Sequence, residues 1–129
     1  EIDTLDASKV DRVVFCSGKV YFELLERRRK ENITNIAIIR VEQLYPFPDV
    51  EMRAALETYQ HVTDFVWCQE EPQNQGAWYC SQHHFWANIP AGAQLTYAGR
   101  EASAAPACGY PGLHVQQQES LLNSALKLS

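Results

Sequence analysis

The sequence lacks the features that mark several broad classes of protein. Its four cysteines never form a C-x-x-C pair, a spacing that is typical of zinc sites and redox motifs. No apolar run approaches the length of a membrane span, and no signal-peptide pattern is present. The net charge is -5, and no basic face balances the excess of acids. We therefore expect binding neither to nucleic acid nor to a membrane.

Common catalytic signatures are also missing. No Gly-x-Ser-x-Gly surrounds a serine nucleophile, and the long glycine-rich cradle of a phosphate-binding loop is absent. Cys80 and His84 are one helical turn apart, but two ligands are too few for a metal site, so none is predicted. Glu70 and Glu71 are adjacent and point opposite ways in an extended chain, which argues against catalysis by paired carboxylates. No catalytic residue is predicted.

What is present is the composition of an ordinary globular domain. A chain of 129 residues, 46% hydrophobic and 21% charged, suits one domain with a conventional core. The cysteines (Cys16, Cys68, Cys80 and Cys108) are predicted to be reduced thiols. Residues 1–9 are polar and acidic and are predicted to end an interdomain linker, with the domain over residues 10–129. Because the chain begins at Glu1 and not at methionine, we expect a piece of a longer polypeptide.

Short apolar runs alternate with segments of helical periodicity. Strands are predicted over residues 11–16, 35–41, 61–68 and 94–98, and helices over 20–32, from Pro48, over 76–89 and over 114–126. Repeated strand-helix units favour parallel strands with helices on both faces of one sheet. The sequence therefore predicts an α/β fold.

Two strand-to-helix connections carry the polar residues of interest. Cys68 is followed by Gln69, Glu70 and Glu71, whose acids are predicted to accept loop N–H bonds or to pair with Arg40 or Arg100. In open α/β folds such loops lie at the carboxyl ends of the strands, where ligands bind.

The connection Ser17-Gly18-Lys19 opens the first predicted helix. Free backbone N–H groups at a helix start favour an anion, and Lys19 adds a positive charge. The simpler interpretation, which we prefer, is that Ser17 only caps the helix.

Four segments resemble one known family when they are taken together. They are Cys16–Tyr21 (CSGKVY), Arg40–Pro48 (RVEQLYPFP), Trp67–Trp78 (WCQEEPQNQGAW) and Tyr97–Arg100 (YAGR). Their order and spacing resemble the C-terminal domain of the thiamine-diphosphate-dependent decarboxylase component of the 2-oxoglutarate dehydrogenase complex. The resemblance implies a three-layer α/β/α sandwich like the transketolase C-terminal domain, with a mostly parallel sheet and one antiparallel edge strand.

The resemblance also implies an activity for the whole enzyme. The family decarboxylates 2-oxoglutarate on thiamine diphosphate and passes the succinyl group to a lipoyl group of the acyltransferase partner. Thiamine diphosphate and magnesium are expected in the full-length enzyme and not on this chain, because the chain has no Gly-Asp-Gly run and the family holds its cofactor in upstream domains. The implied enzyme is a homodimer in the bacterial cytosol or the mitochondrial matrix. This domain alone is expected to be catalytically inactive.

Two roles for the domain follow from the resemblance. Some family members respond to acetyl-CoA or AMP near this domain, and the residues predicted for such a regulatory nucleotide or anion site are Ser17, Lys19, Gln69 and Arg100. The alternative is a docking and dimerisation module with no ligand, in which the aromatic-rich helix after Gly76 meets the upstream catalytic domains.

Overall fold

The computed structural model describes residues 5–42, 48–72, 76–100 and 111–128. In these ranges four strands alternate with four helices: β1 (Arg12–Cys16), α1 (Val20–Lys30), β2 (Ile36–Arg40), α2 (Asp49–Leu56), β3 (Asp64–Pro72), α3 (Gly76–Asn88), β4 (Gln94–Arg100) and α4 (Pro111–Ala125). The predicted alternation is confirmed. Two short 3-10 turns, Ala7–Lys9 and Glu57–Tyr59, are additions that the sequence pattern does not predict.

The four strands form one sheet in the order β2-β1-β3-β4, and each neighbouring pair is parallel. The central strands are runs of valine, phenylalanine and cysteine, which suit a strand buried on both faces. The α/β class is therefore confirmed. The antiparallel edge strand that the resemblance implies does not occur among the described residues.

Helices cover both faces of the sheet, and each face has its own apolar cluster. On one face Phe15 and Trp67 of the sheet pack with Met52 of α2 and Phe85 of α3. On the other face the alternate strand residues pack with α1 and α4, as Val14, Cys68, Leu24 and Leu121 illustrate. Successive strand residues point to opposite faces, so each strand contributes to both clusters. This arrangement is the predicted three-layer α/β/α sandwich.

Helix α1 ends at Lys30, and Asn32, which the sequence predicts as its stop, lies in the turn that follows. This residue takes a left-handed conformation with φ of 54°, which asparagine tolerates better than most residues. The N–H groups of Ile33 and Asn32 donate to the carbonyls of Arg28 and Arg29, at 3.0 and 3.2 Å. These two bonds satisfy carbonyl groups that the helix end would otherwise leave unpaired.

Arg12, at the start of β1, binds the C-terminal end of α4. Its Nε donates to Asp64 Oδ2 at 2.8 Å, and its guanidinium also donates to the carbonyls of Ser124 and Ala125, each at 3.0 Å. A cation at a helix C-terminus complements both the unpaired carbonyls and the helix dipole. The amino ends of β1 and β3 are thereby tied to the last turn of α4.

The third strand departs most from its predicted bounds. It runs from Asp64 to Pro72 and not over residues 61–68, so the polar segment after Cys68 belongs to the sheet. The register with β4 shifts here, because Cys68 lies opposite Ala98 while Pro72 lies opposite Arg100. The apolar pattern ends at Cys68, although backbone pairing continues beyond it.

Gly99 lies in β4 opposite this irregular segment, and its neighbours leave no room for a side chain. A Cβ atom at position 99 would lie 2.5 Å from the Tyr97 hydroxyl oxygen and 2.7 Å from the Gln69 carbonyl oxygen. The carbonyl belongs to the backbone of β3 and cannot move without the strand. Close packing of two backbones therefore requires glycine here.

We expect Gly99→Ala to lower the free energy of unfolding by about 2–3 kcal/mol, because the added methyl group overpacks the contact between β3 and β4. Urea denaturation measures the change. Gly92→Ala is the matched control: its methyl group meets no atom within 4 Å, and only the positive φ of 84° is unfavourable. This control should cost about 1 kcal/mol. A smaller loss for Gly99→Ala than for Gly92→Ala would contradict the packing argument.

Candidate functional site at the carboxyl edge of the sheet

The strands of a parallel sheet end at one common edge, and the predicted site residues lie there. Cys16 at the end of β1 is opposite Cys68 in β3, so Ser17 and Gln69 follow at adjacent strand positions. Arg100 ends β4, and its side chain lies outside the described part of the structure. We call this end of the sheet the carboxyl edge; it comprises residues 17–19, 69–72 and 99–100.

The β1–α1 turn does not use the predicted serine cap. Helix α1 begins at Val20, and its cap residue is Lys19, whose side chain makes no capping bond. The prediction that Ser17 caps the helix is therefore wrong. Gly18 takes a left-handed conformation with φ of 76°, and its carbonyl accepts the N–H of Tyr21 at 3.3 Å. The turn places the helix start two residues later than a serine cap requires.

Gln69 is buried, with 2% of its surface exposed, and its amide joins β3 to α3. The side-chain oxygen accepts the indole N–H of Trp67 at 2.8 Å and the backbone N–H of Trp78 at 3.0 Å. The side-chain nitrogen donates to the carbonyl of Glu71 at 3.0 Å. Trp78 is in the first turn of α3, where N–H groups lack partners within the helix. Gln69 therefore caps α3 from the neighbouring strand.

Glu70 turns away from Gln69 towards α1 and α4. Its Oε1 accepts the Lys19 ammonium at 2.9 Å and the Gln118 amide at 3.2 Å. Partial burial by itself raises the pKa of Glu70. The hydrogen bonds from Lys19 and Gln118, the positive charge of Lys19 and a hydrogen bond with Glu23 together outweigh it, so the pKa lies below its usual value of 4.5. Glu70 is ionised at neutral pH and connects three elements of the fold. Gln118 was not a predicted site residue, because nothing in a run of three glutamines distinguishes it.

The predicted partner Arg40 is engaged elsewhere. Its guanidinium lies 5.1 Å from the ring centre of Phe22 and 5.7 Å from that of Tyr21, and its Nε is 2.5 Å from Glu42 Oε1. The prediction that Arg40 pairs with the acids of β3 is wrong. Arg40 belongs to the outer strand β2, and β1 separates that strand from β3.

The described residues offer no donor set for a metal. No group of three or more histidine, cysteine, aspartate or glutamate side chains comes together among them. Cys16 and Cys68 are buried free thiols, as predicted, and burial raises the pKa of the Cys68 thiol so that it stays neutral. Cys108 and the side chain of Cys80 lie outside the described residues. Within the described ranges no helix is both long enough and apolar enough to cross a membrane.

Gln69→Leu should lower the free energy of unfolding by about 2 kcal/mol, because it leaves the buried indole N–H of Trp67 and the partly buried backbone N–H of Trp78 without this acceptor. Urea denaturation again provides the measurement. Gln116→Leu makes the same change at an exposed position of α4 and should alter stability by less than about 0.5 kcal/mol. Equal effects of the two substitutions would show that the amide of Gln69 does not hold β3 to α3.

Glu70→Gln should reduce stability at neutral pH but not in acid. A carboxylate whose pKa is lowered by folding stabilises the folded state above its unfolded pKa, and this stabilisation is lost as the pH falls through the folded value. The difference between wild type and Glu70→Gln should therefore close as the pH drops below 4.5. Thermal unfolding from pH 7 to pH 3 tests this. A difference independent of pH would contradict it, and Glu71→Gln controls for the general loss of one negative charge.

Comparisons with known proteins cover nearly the whole chain. The family model described as 2-oxoglutarate dehydrogenase C-terminal matches residues 1–126. The chain is 62% identical over 126 residues to the 2-oxoglutarate dehydrogenase E1 component of Haemophilus influenzae, and this match covers 98% of the chain. It is 56% identical over 128 residues to the protein of the same name from Azotobacter vinelandii, which covers 97% of the chain.

The match occupies only a small part of each relative. The chain spans 14% of the length of the Haemophilus protein and 14% of the Azotobacter protein. The family description agrees with the α/β fold and with the resemblance of the four segments at the strand ends. The chain belongs to the 2-oxoglutarate dehydrogenase C-terminal family and is the C-terminal domain of an E1 component.

Proposed function

We propose that the chain completes an enzyme that decarboxylates 2-oxoglutarate on thiamine diphosphate and transfers the succinyl group to a lipoyl group of an acyltransferase. The proposal is supported by the family match over residues 1–126 and by the names of the relatives. The enzyme acts as a homodimer, with upstream domains of the same polypeptide holding thiamine diphosphate and magnesium. Its location is the bacterial cytosol or the mitochondrial matrix.

The domain's own part in this enzyme is structural and regulatory. The chain has no Gly-Asp-Gly run, with which the family holds its magnesium-bound diphosphate. The polar groups of Gln69 and Glu70 are engaged in contacts that hold the domain together. We therefore assign no chemical step to this chain and expect it to be inactive alone.

The regulatory part is a site for a phosphate-bearing ligand such as AMP or acetyl-CoA, formed at the carboxyl edge by Ser17, Lys19, Gln69 and Arg100. One observation carries this proposal: the side chain of Lys19 is 72% exposed at the start of α1, at the end of the sheet where α/β proteins bind ligands. Lys19 supplies the positive charge next to backbone N–H groups of the helix start. Gln69, being buried, contributes by holding the edge in shape.

Lys19→Ala should weaken the binding of AMP to the full-length enzyme by about five- to thirtyfold, since a hydrogen bond to a charged group is worth about 1–2 kcal/mol here. Isothermal titration calorimetry measures the dissociation constant, and acetyl-CoA is titrated separately. Lys9→Ala removes the same charge from an exposed residue before β1, at the opposite end of the strand, and should leave the affinity unchanged. An unchanged affinity of Lys19→Ala for AMP would contradict the proposed site.

A docking module without a ligand is the second candidate function. Trp86 of α3 is 49% exposed, and Phe22 of α1, on the other face of the sheet, is 51% exposed. Aromatic residues on a helix surface suit contact with the upstream domains or with the second subunit. The same titration separates the two functions, because a pure docking module gives no heat with either nucleotide.

A further inference from the structure

Two cysteines lie side by side on the central strands of the sheet. Cys16 is the last residue of β1, and Cys68 occupies the directly opposite position of the parallel neighbour β3. Neighbouring strands are about 4.8 Å apart, and a disulfide joins residues whose Cα atoms are about 4.4–6.8 Å apart. The backbones of Cys16 and Cys68 therefore already have the separation that a disulfide requires.

The two side chains also point to the same face of the sheet. Both belong to the apolar cluster that α1 and α4 cover, and so does the preceding opposite pair on that face, Val14 and Val66. Both cysteines carry reduced thiols. Burial, and after it the proximity of Cys16, raises the pKa of the Cys68 thiol, so the two sulfur groups influence one another.

Burial protects both thiols in the closed structure. Neither cysteine has exposed surface, with 0% for each, and a neutral thiol is a poor nucleophile. Oxidation therefore requires local opening of the carboxyl edge. Regular pairing ends close to both residues, because β1 gives way to the turn at Gly18 and the register of β3 shifts directly after Cys68. Irregular strand ends open at a lower free energy than the middle of a sheet.

We propose that Cys16 and Cys68 form a site of reversible oxidation, at which a peroxide joins the two thiols in a disulfide between β1 and β3. In the opened state one thiolate attacks a peroxide oxygen, the O–O bond breaks, and the sulfur becomes a sulfenic acid. The second thiol attacks that sulfur, so the S–S bond forms and the S–O bond breaks. Hydrogen peroxide takes up two electrons and both thiol protons and leaves as two water molecules.

The disulfide ties the carboxyl ends of the two central strands together. Ser17 and Gln69 follow the two cysteines directly, so the link fixes the base of the carboxyl edge. A dithiol reductant reverses it by thiol-disulfide exchange. The inference needs no ligand at the edge and is independent of the nucleotide site proposed above.

The test is oxidation of the folded full-length enzyme with excess hydrogen peroxide, followed by alkylation of the remaining thiols and peptide mapping without reductant. We expect two peptides joined through Cys16 and Cys68, lighter by two hydrogen atoms than the sum of the reduced peptides. This product should account for most of the Cys68 in the sample. Dithiothreitol should restore both thiols.

Substitutions and an unfolded reference show whether the link depends on the fold. Cys16→Ala and Cys68→Ala should each abolish the product. Cys80→Ala is the matched control and should leave it unchanged, because Cys80 belongs to α3, which packs on the opposite face of the sheet. In enzyme oxidised in urea, the shorter loop between Cys68 and Cys80 is favoured over the longer one between Cys16 and Cys68.

The mapping of wild type involves no substitution, so it decides the matter even if an alanine variant does not fold. A link between Cys16 and Cys68 in the folded enzyme, lost in either variant and kept in Cys80→Ala, supports the proposal. Three results overturn it: both thiols stay reduced, either cysteine becomes a sulfenic or sulfinic acid without a link, or Cys68 joins a different cysteine.

Discussion

The shape of the carboxyl edge depends on the buried amide of Gln69. This one side chain bonds to an indole N–H, a helix N–H and a backbone carbonyl, and all three belong to residues within nine positions of it. The register between β3 and β4 shifts between Cys68 and Pro72, in the segment that contains Gln69. Each of these groups would be costly to bury without a partner. Gln69 thereby fixes where β3 ends and where α3 begins.

The segments that carry the family resemblance meet in space because the sheet is parallel. Cys16–Tyr21 contains the end of β1, Arg40 ends β2, the stretch from Trp67 contains the end of β3, and Tyr97–Arg100 ends β4. All strands of a parallel sheet end on the same side, so four segments far apart in sequence form one edge. The residues that carry the family resemblance therefore lie together at one edge of the sheet. Residues in the middle of the strands need only be apolar and of suitable size.

Charges near the carboxyl ends of β1, β2 and β3 are balanced locally. Lys19 lies against Glu70 and near Glu23, and Arg40 lies against Glu42 with its guanidinium over two aromatic rings. Exposed ion pairs contribute little to the free energy of unfolding. Their main effect is to limit the charges that are available to an incoming ligand. A cation that is already paired is available only to a ligand that competes for it.

The sequence by itself determined the fold class, the order of the elements and the edge at which the polar residues lie. Those features depend on local patterns: β-branched apolar runs for the strands, helical periodicity between them, and Asn32 as the stop signal after α1. The final helix was predicted from residue 114 but begins at Pro111, a shift that local patterns do not resolve.

Only the tertiary structure decided which side chains pair. Lys19 and Glu70 are 51 residues apart, and Glu70 and Gln118 are 48 apart. Such partners depend on strand order and register, which no local pattern encodes. For the same reason the predicted pairing of Arg40 was wrong, and the need for glycine at position 99 became visible only from its contact with β3. The serine cap was wrong for a local reason, because the turn through Gly18 starts α1 two residues later. Short-range preferences set the elements, while long-range packing selected the contacts.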